Sequence, residues 1–326
     1  MTHGDARTTG IALGAEAALQ TGAALEAGRA PQAGAALEAV GLTKRYGRGI
    51  WALRGVDLRV PEGSVTALVG PNAAGKSTLI KSWVGFERPT AGTVRVHGVD
   101  PWRDRAGALA HIGYVPQAPS LYRDLTVSDH LAMAGDLRRG FDRAAALERL
   151  DQLAIPADAR AGGLSGGQQA QVHLAIALGT RAQVLLLDEP LASLDPLARR
   201  EFLHVLNDAV RADGVTALLS SHVITDIEQA CDRLVVLGVG RKLYDGSVAE
   251  AMAAHRVGPV DATPQPGNVP AVATFAEADG RLSTLYATLY AANGARPQGT
   301  RPASLEEIVM GYLVSGRTVR PEAEAA

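Results

Sequence analysis

Between positions 70 and 78 the chain reads Gly-Pro-Asn-Ala-Ala-Gly-Lys-Ser-Thr. A glycine, four free positions and then Gly-Lys-Ser is the spacing at which backbone N–H groups surround a polyphosphate. Lys76 brings positive charge to the β/γ-phosphates, and the Ser77 hydroxyl is a ligand for Mg²⁺. Gly70 and Gly75 allow backbone conformations and close approaches that a β-carbon would obstruct. Pro71, Asn72, Ala73 and Ala74 fill the free positions, and Thr78 follows Ser77 into a helix. Farther on, the apolar run Val184-Leu185-Leu186-Leu187 ends in two carboxylates, Asp188 and Glu189. A carboxylate at the carboxyl end of a parallel strand stands where open α/β sheets place their ligands. Leu164-Ser165-Gly166-Gly167-Gln168 opens a helix: Ser165 suits an N-cap, and the paired glycines let a phosphate approach the helix start. His222 ends the short apolar stretch from Ala217.

The elements that must position these groups are legible around them. Val65–Val69 reads as a strand emptying into the loop, and a helix from Lys76 to about Val84 aims its N-terminal N–H groups and positive dipole end at the same anion. Upstream, Leu37–Val40 and Trp51–Val60 read as an antiparallel strand group with turns at 47–49 and 61–63. Tyr46 lies just upstream of the phosphate loop, and its role is open between stacking on an adenine ring and covering a strand edge. Downstream come a turn at 87–92, a strand at Thr93–His97, and a strand at Ile112–Val115 that ends at Pro116-Gln117. From about 118 to 163 the texture changes to helical periodicity, with Leu131, Met133, Leu137, Leu147, Leu150 and Leu153 between charged positions. The helix opened by Ser165 continues through Leu178. His97 and His111 lack ligand-spaced partners and read as surface or turn histidines.

Composition narrows the class. The 326 residues are 47% hydrophobic and 4% aromatic, enough for one large domain with extensions or two ordinary ones. With 32 Lys+Arg against 34 Asp+Glu, the net charge of −2 gives no basic field, so no direct nucleic-acid partner is expected. The single cysteine, Cys231, cannot form an internal disulfide and fits a reducing cytosolic compartment, as a small residue near a helix end. No apolar run of about 18 residues is long enough to span a bilayer, and no signal-peptide pattern opens the chain. A soluble, unexported protein is expected.

In this order the segments resemble the ATP-binding subunit of the ABC transporter family, over about residues 37 to 254. The loop 70–78 resembles its Walker A motif, Leu185–Pro190 its Walker B, Leu164–Gln168 its signature and Ser193-Leu194-Asp195 its D-loop. Tyr46 matches the A-loop aromatic, Gln117 the Q-loop glutamine and His222 the switch histidine. The resemblance implies an α/β P-loop NTPase of ABC type, with an N-terminal antiparallel β subdomain, a mainly parallel core sheet and an inserted α-helical subdomain. It implies a Mg²⁺-dependent ATPase: Asp188 on Mg²⁺ through water, Glu189 as the base for the attacking water, Gln117 on the metal or the water, and His222 on the γ-phosphate. Phosphoryl transfer needs charge neutralisation and an in-line nucleophile more than covalent help, which suits Lys76, Mg²⁺ and a positioned carboxylate. The resemblance further implies that Ser165–Gln168 and Asp195 of one subunit close over ATP held by a second. A homodimer or related heterodimer is therefore expected, coupled to a separate transmembrane permease at the inner face of the cell membrane. Two positions depart from the family pattern. Ala73 stands where a glycine is usual, and Gln169-Ala170-Gln171 stands where an arginine is common. A soluble ABC ATPase that remodels a protein or nucleic-acid assembly is the alternative.

Residues 1–36 are Ala/Gly-rich and begin a repeat of Gly-Ala-Ala-Leu-Glu-Ala, which reads as a low-complexity, disordered tail in composition terms. The ATPase domain is expected over 37–255, a proline-rich linker over 256–270, and a small α+β extension over 271–326. In that extension 272–275 and 282–289 read as short strands. Ser304 and Glu307 form a capping box before an apolar stripe of Leu305, Ile308, Val309, Tyr312 and Leu313. Whether that stripe packs on its own domain or on another subunit is open. Similar Ser-Leu-Glu-Glu endings occur in drug- and antibiotic-export ATPases, so the resemblance leans towards export. The cargo is not legible, because the permease selects it.

Overall fold

The computed structural model describes residues 34–47, 49–118, 120–192, 194–259, 271–277, 280–288 and 299–318. The tail at 1–33, Ser193 and residues 260–270 lie outside them. The chain folds as two compact units, one of Ala33–Leu68 with Gly75–Asp232, the other including Val69–Ala74 and Arg233–Ala326.

In the first unit, strands β1 (Ala35–Tyr46) and β2 (Ile50–Pro61) pair antiparallel, and β4 (Ala91–Val96) pairs antiparallel with β1 on its other side. Alternation along β2 buries Leu53, Val56, Leu58 and Val60 on one face, the pattern of a sheet covered on one side. That cover includes helix α1 (Lys76–Trp83): Trp83 is fully buried and donates its indole N–H to the Glu38 carbonyl at 2.8 Å. The core strands β5 (Ile112–Val115), β6 (Val184–Leu187) and β7 (Thr216–Ser221) run parallel, and β3 (Val65–Val69) neighbours β7. Every residue of β6 and β7 is buried, as parallel strands sandwiched between helices require.

The helical insert is α3 (Val127–Leu137) and α4 (Arg143–Gln152), packed on α5 (Gly166–Gly179) through Val127, Leu131, Ala146, Leu150, Ile155, Val172 and Ala175. Helix α2 (Arg105–Ala110) precedes β5. Helix α6 (Pro196–Asp213) crosses between β6 and β7, and α7 (Ile224–Ala230) ends at buried Cys231.

In the second unit β8 (Arg233–Gly238) and β9 (Arg241–Ser247) form an antiparallel hairpin. Helix α8 (Val248–Ala254) follows. The strands β10 (His255–Pro259), β11 (Ala271–Ala276), β12 (Leu282–Ala287) and β13 (Arg301–Pro302) form a sheet of order β11-β12-β10-β13. The segment read as a linker from 256 therefore begins as strand, its register with β12 fixed from His255↔Ala287 to Pro259↔Ser283.

Helix α9 (Leu305–Thr318) resolves the open question about the apolar stripe. Leu305, Ile308, Val309 and Tyr312 are buried within this unit. The Tyr312 hydroxyl donates to His255 Nε2 at 3.0 Å, because Nδ1–H of that ring already serves the Ala251 carbonyl at 2.8 Å. Tyr244 closes the cluster, with its ring centroid 5.0 Å from that of Tyr312. These contacts group residues 233–254 with the carboxy-terminal segment, whereas the sequence reading drew the boundary at 255. Among the described residues, no helix is long and apolar enough to cross a membrane.

Candidate functional site

Helix α1 starts at Gly75, whose φ of 106° is open to glycine and strained for other residues. No side chain caps this helix and no acidic residue occupies its first turn, so the positive end of the dipole has no carboxylate from the helix itself. Ala73 sits at φ 64°, the left-handed conformation in which a β-carbon costs about 1–2 kcal/mol. Gly70 is required for another reason: a β-carbon there would lie 2.2 Å from the Leu237 carbonyl oxygen. The loop closes on itself through the Ala74 N–H, which donates to the Pro71 carbonyl at 3.1 Å.

Lys76 Nζ lies 3.0 Å from Glu189 Oε1, and both side chains are buried. The other carboxylate oxygen, Oε2, is 3.0 Å from His222 Nδ1. A carboxylate only accepts, so Nδ1 of His222 carries the hydrogen. Burial alone would raise the Glu189 pKa, but the hydrogen bond and charge of Lys76, with those of His222, pull it below the ordinary range. Asp188 behaves oppositely. Burial raises its pKa against the lowering effect of hydrogen bonds from Ser77 and Ser220. Two adjacent carboxylates are thus pushed apart in acidity, the arrangement that separates roles in acid–base sites.

Asp188 is fully buried, and its Oδ1 accepts from Ser77 Oγ at 2.9 Å and from Ser220 Oγ at 3.1 Å. Its Oδ2 is buried without a hydrogen-bond partner. A buried carboxylate oxygen left unpaired is expensive unless a cation is its intended partner. Ser77 spends its proton on Asp188 and keeps both lone pairs, so the pair offers hard oxygen donors of the type that suits Mg²⁺. The donor set fits that ion. Among the described residues there is no group of three or more His, Cys, Asp or Glu able to hold a metal by themselves, so the remaining ligands must be water or phosphate oxygens.

The other sequence-derived positions divide. Tyr46 lies over the start of α1, its hydroxyl 3.4 Å from Thr78 Oγ1, with Lys44 Nζ 4.8 Å above its ring. Burial raises its pKa. Gln117 is exposed beyond β5, and no hydrogen bond joins it to Lys76, Asp188 or Glu189 among the described residues. Ser165 and Gln168 form a capping box, with Ser165 Oγ accepting the Gln168 N–H at 3.2 Å and Gln168 Oε1 accepting the Ser165 N–H at 3.0 Å. Gly166 and Gly167 are the first residues of α5. Asp195 is the N-cap of α6, accepting from the N–H groups of Leu197 and Ala198 at 3.0 and 2.9 Å. Gln169 and Gln171 are used locally: Gln169 Nε2 donates to the Leu164 carbonyl, and Gln171 faces the Arg149 guanidinium.

Three residues escaped sequence reasoning. Ser220 bridges Asp188 and the Glu189 backbone, a role visible only through the β6/β7 register. His130 and His173, both buried, accept at Nε2 from the Tyr122 N–H at 2.9 Å and from Ser120 Oγ at 3.0 Å. They pin the segment after Gln117 to the insert and to α5. Their isolation in sequence hides this.

The arrangement is that of a polyphosphate site with an acidic pair beside it. A family model described as ABC transporter matches residues 53–192. The phosphonates import ATP-binding protein PhnC of Thiobacillus denitrificans is 35% identical over 227 residues, which cover 65% of this chain and 87% of that protein. The probable multidrug ABC transporter ATP-binding protein YbhF of Escherichia coli is 37% identical over 212 residues. These cover 63% of this chain and 36% of YbhF, so the chain spans about a third of that relative. A solved dimeric post-hydrolysis ATP-binding cassette bound to ADP and Pi superposes with a TM-score of 0.60 at 27% identity. That match covers 65% of this chain and 98% of the cassette.

Two outcomes follow from the site's energetics. Replacing Ala73→Gly relieves the left-handed strain and raises nucleotide affinity less than about tenfold, in line with about 1 kcal/mol; titration with a fluorescent ATP analogue checks it. For Asp188 the folded-state pKa is raised, so protonation stabilises the fold and the stabilisation is lost as pH rises through that value. At pH 7 Asp188→Asn therefore raises the thermal unfolding midpoint of nucleotide-free protein, and its advantage over wild type shrinks on acidification. A midpoint lowered at pH 7 would contradict this account of the buried charge.

Proposed function

The chain belongs to the ABC transporter ATP-binding family, whose subunits are ATPases with the cassette fold, and from that premise we propose that it powers an exporter through a separate permease. The observation that carries the catalytic half is the convergence of Lys76 and His222 on the two oxygens of Glu189, beside Asp188 and Ser77. Lys76 binds the β/γ-phosphates. Glu189 takes the proton of the attacking water at one carboxylate oxygen, while His222 holds the other and orients the group. Mg²⁺, held by Ser77 Oγ and Asp188, supplies neutralisation of phosphate charge when bound. In this reading Tyr46, beside Thr78, would stack on the adenine, and Gln117 would report nucleotide state to the permease.

Dimerisation is supported by the dimeric cassette that the fold matches. The signature Ser165–Gln168 and Asp195 of one subunit would complete the site on Lys76 of the next. Two ATP molecules held in that seam favour closure because they bind the closed form more tightly, and hydrolysis releases it. The reading places the protein in the cytoplasm, peripheral to the inner face of the membrane. Export is supported by the resemblance of the Ser-Leu-Glu-Glu ending at 304–307 to those of drug- and antibiotic-export ATPases, and by the multidrug name of one relative. Another relative is named for phosphonate import, which favours the opposite direction. A soluble ABC ATPase that remodels a protein or nucleic-acid assembly is the second reading.

Glu189→Gln abolishes ATP turnover by at least about a hundredfold, on the scale of a lost general base, and retains ATP binding. Turnover at the wild-type rate would remove Glu189 from this role. Affinity-tagged full-length protein extracted with membranes recovers a multi-spanning partner; recovery with a soluble complex alone supports the remodelling reading instead.

A further inference from the structure

Strands β6 and β7 pair in parallel with the register Val184↔Thr216 through Leu187↔Leu219. Continuing that register by one residue sets Ser220 opposite Asp188, at the point where β6 ends. Ser220 has no exposed surface, so its hydroxyl must find its partners inside the protein. It finds two. The Glu189 N–H donates to Ser220 Oγ at 2.7 Å, and Ser220 Oγ donates to Asp188 Oδ1 at 3.1 Å.

We propose that Ser220 is a positioning residue for the metal-binding carboxylate and the base together, through this one hydroxyl. Its proton satisfies Oδ1 of Asp188 and so fixes which oxygen, Oδ2, is left without a protein partner for the cation. Its lone pair takes the Glu189 N–H and thereby holds Glu189 at φ 49°, a left-handed conformation that non-glycine residues adopt only when their surroundings impose it. That turn separates the two carboxylates, sending Asp188 to Ser77 and Glu189 to Lys76 and His222. Ser77 also donates to Asp188 Oδ1, but it sits at the start of α1 and its lone pairs are committed to the cation in the proposed function, on which this inference rests. Ser220 has no such second duty. An alanine at 220 would leave the Glu189 N–H unpaired and Oδ1 with Ser77 alone.

The test uses full-length wild type, Ser220→Ala and Ser220→Thr, the last retaining the hydroxyl. Mn²⁺ binding in the presence of ADP is followed by electron paramagnetic resonance, nucleotide binding in EDTA by fluorescent ADP, and folding by thermal unfolding. Partners that orient metal ligands typically contribute about 10–100-fold to metal affinity. The expected result is Mn²⁺ affinity weakened about tenfold or more in Ser220→Ala, with metal-free ADP binding unchanged within about twofold, and affinity restored in Ser220→Thr. Mn²⁺ affinity in folded Ser220→Ala equal to wild type overturns the inference and leaves the metal site standing. If Ser220→Ala does not fold, Ser220→Cys, which keeps a γ atom in place and weakens the hydrogen bonds, must still show weakened Mn²⁺ binding; wild-type affinity there overturns the inference equally. Wild type that binds no Mn²⁺ with ADP overturns the metal reading and this inference with it.

Discussion

Two consecutive carboxylates at the end of a strand with no exposed residue are the constraint around which the larger unit is built. Charge in such a place is costly unless each oxygen is answered by hydrogen bonds or opposite charge. Three of the four oxygens of Asp188 and Glu189 are answered, by groups from three separate elements. Ser77 and Lys76 come from the start of α1, Ser220 from β7, and His222 from the turn after it. One oxygen, Oδ2 of Asp188, is left over. The phosphate loop, the parallel strands and the turn after β7 must therefore hold their registers simultaneously. Removing one partner from a buried charged pair commonly costs about 3–5 kcal/mol, so the site and the fold of this unit are difficult to separate.

Two of the six non-glycine residues with positive φ among the described residues fall in this site. Ala73 and Glu189 both adopt positive φ, at 64° and 49°, and both belong to the loops that end core strands. At Glu189 the turn has a visible use, since an extended residue after Asp188 would carry the second carboxylate to the opposite face of the strand direction. At Ala73 the loop doubles back so that the Ala74 N–H reaches the Pro71 carbonyl. Glycine would adopt that shape without penalty, which is the physical content of the sequence's departure at this position.

What sequence conveyed was what short-range chemistry determines. The phosphate loop, the apolar run of β6, the N-cap at Ser165 and the capping box at Ser304–Glu307 each carry a local signal, and each element lies where the signal put it. The P-loop α/β class followed from their order. Helix α6 was also signalled locally, by Asp195 as N-cap, Pro196 at its first position and Gly214 at its end, but Asp195 was read for its family motif and the helix went unread. Ser220, His130 and His173 are of another kind. Their partners lie 32, 8 and 53 residues away, and only the strand register and the packing of α3 against α5 bring them together. The grouping of residues 233–254 with the carboxy-terminal segment is hidden from sequence for the same reason, because Tyr244, His255 and Tyr312 meet only in three dimensions.

The ion pair between Lys76 and Glu189 also bears on how the site would respond to its substrate. Lys76 and Glu189 satisfy one another here, and the lowered pKa of Glu189 reflects that union after burial has worked against it. A triphosphate offers Lys76 more negative charge than one carboxylate can. If Lys76 turned to phosphate in the proposed function, Glu189 would keep His222 on Oε2 and gain a free Oε1, and the loss of its nearest positive charge would let burial move its pKa upward. A base works best when its pKa approaches the working pH. Substrate binding would thus unmask an oxygen and raise its basicity in one exchange of partners, with Asp188 held in place throughout by hydroxyls that do not take part in the exchange.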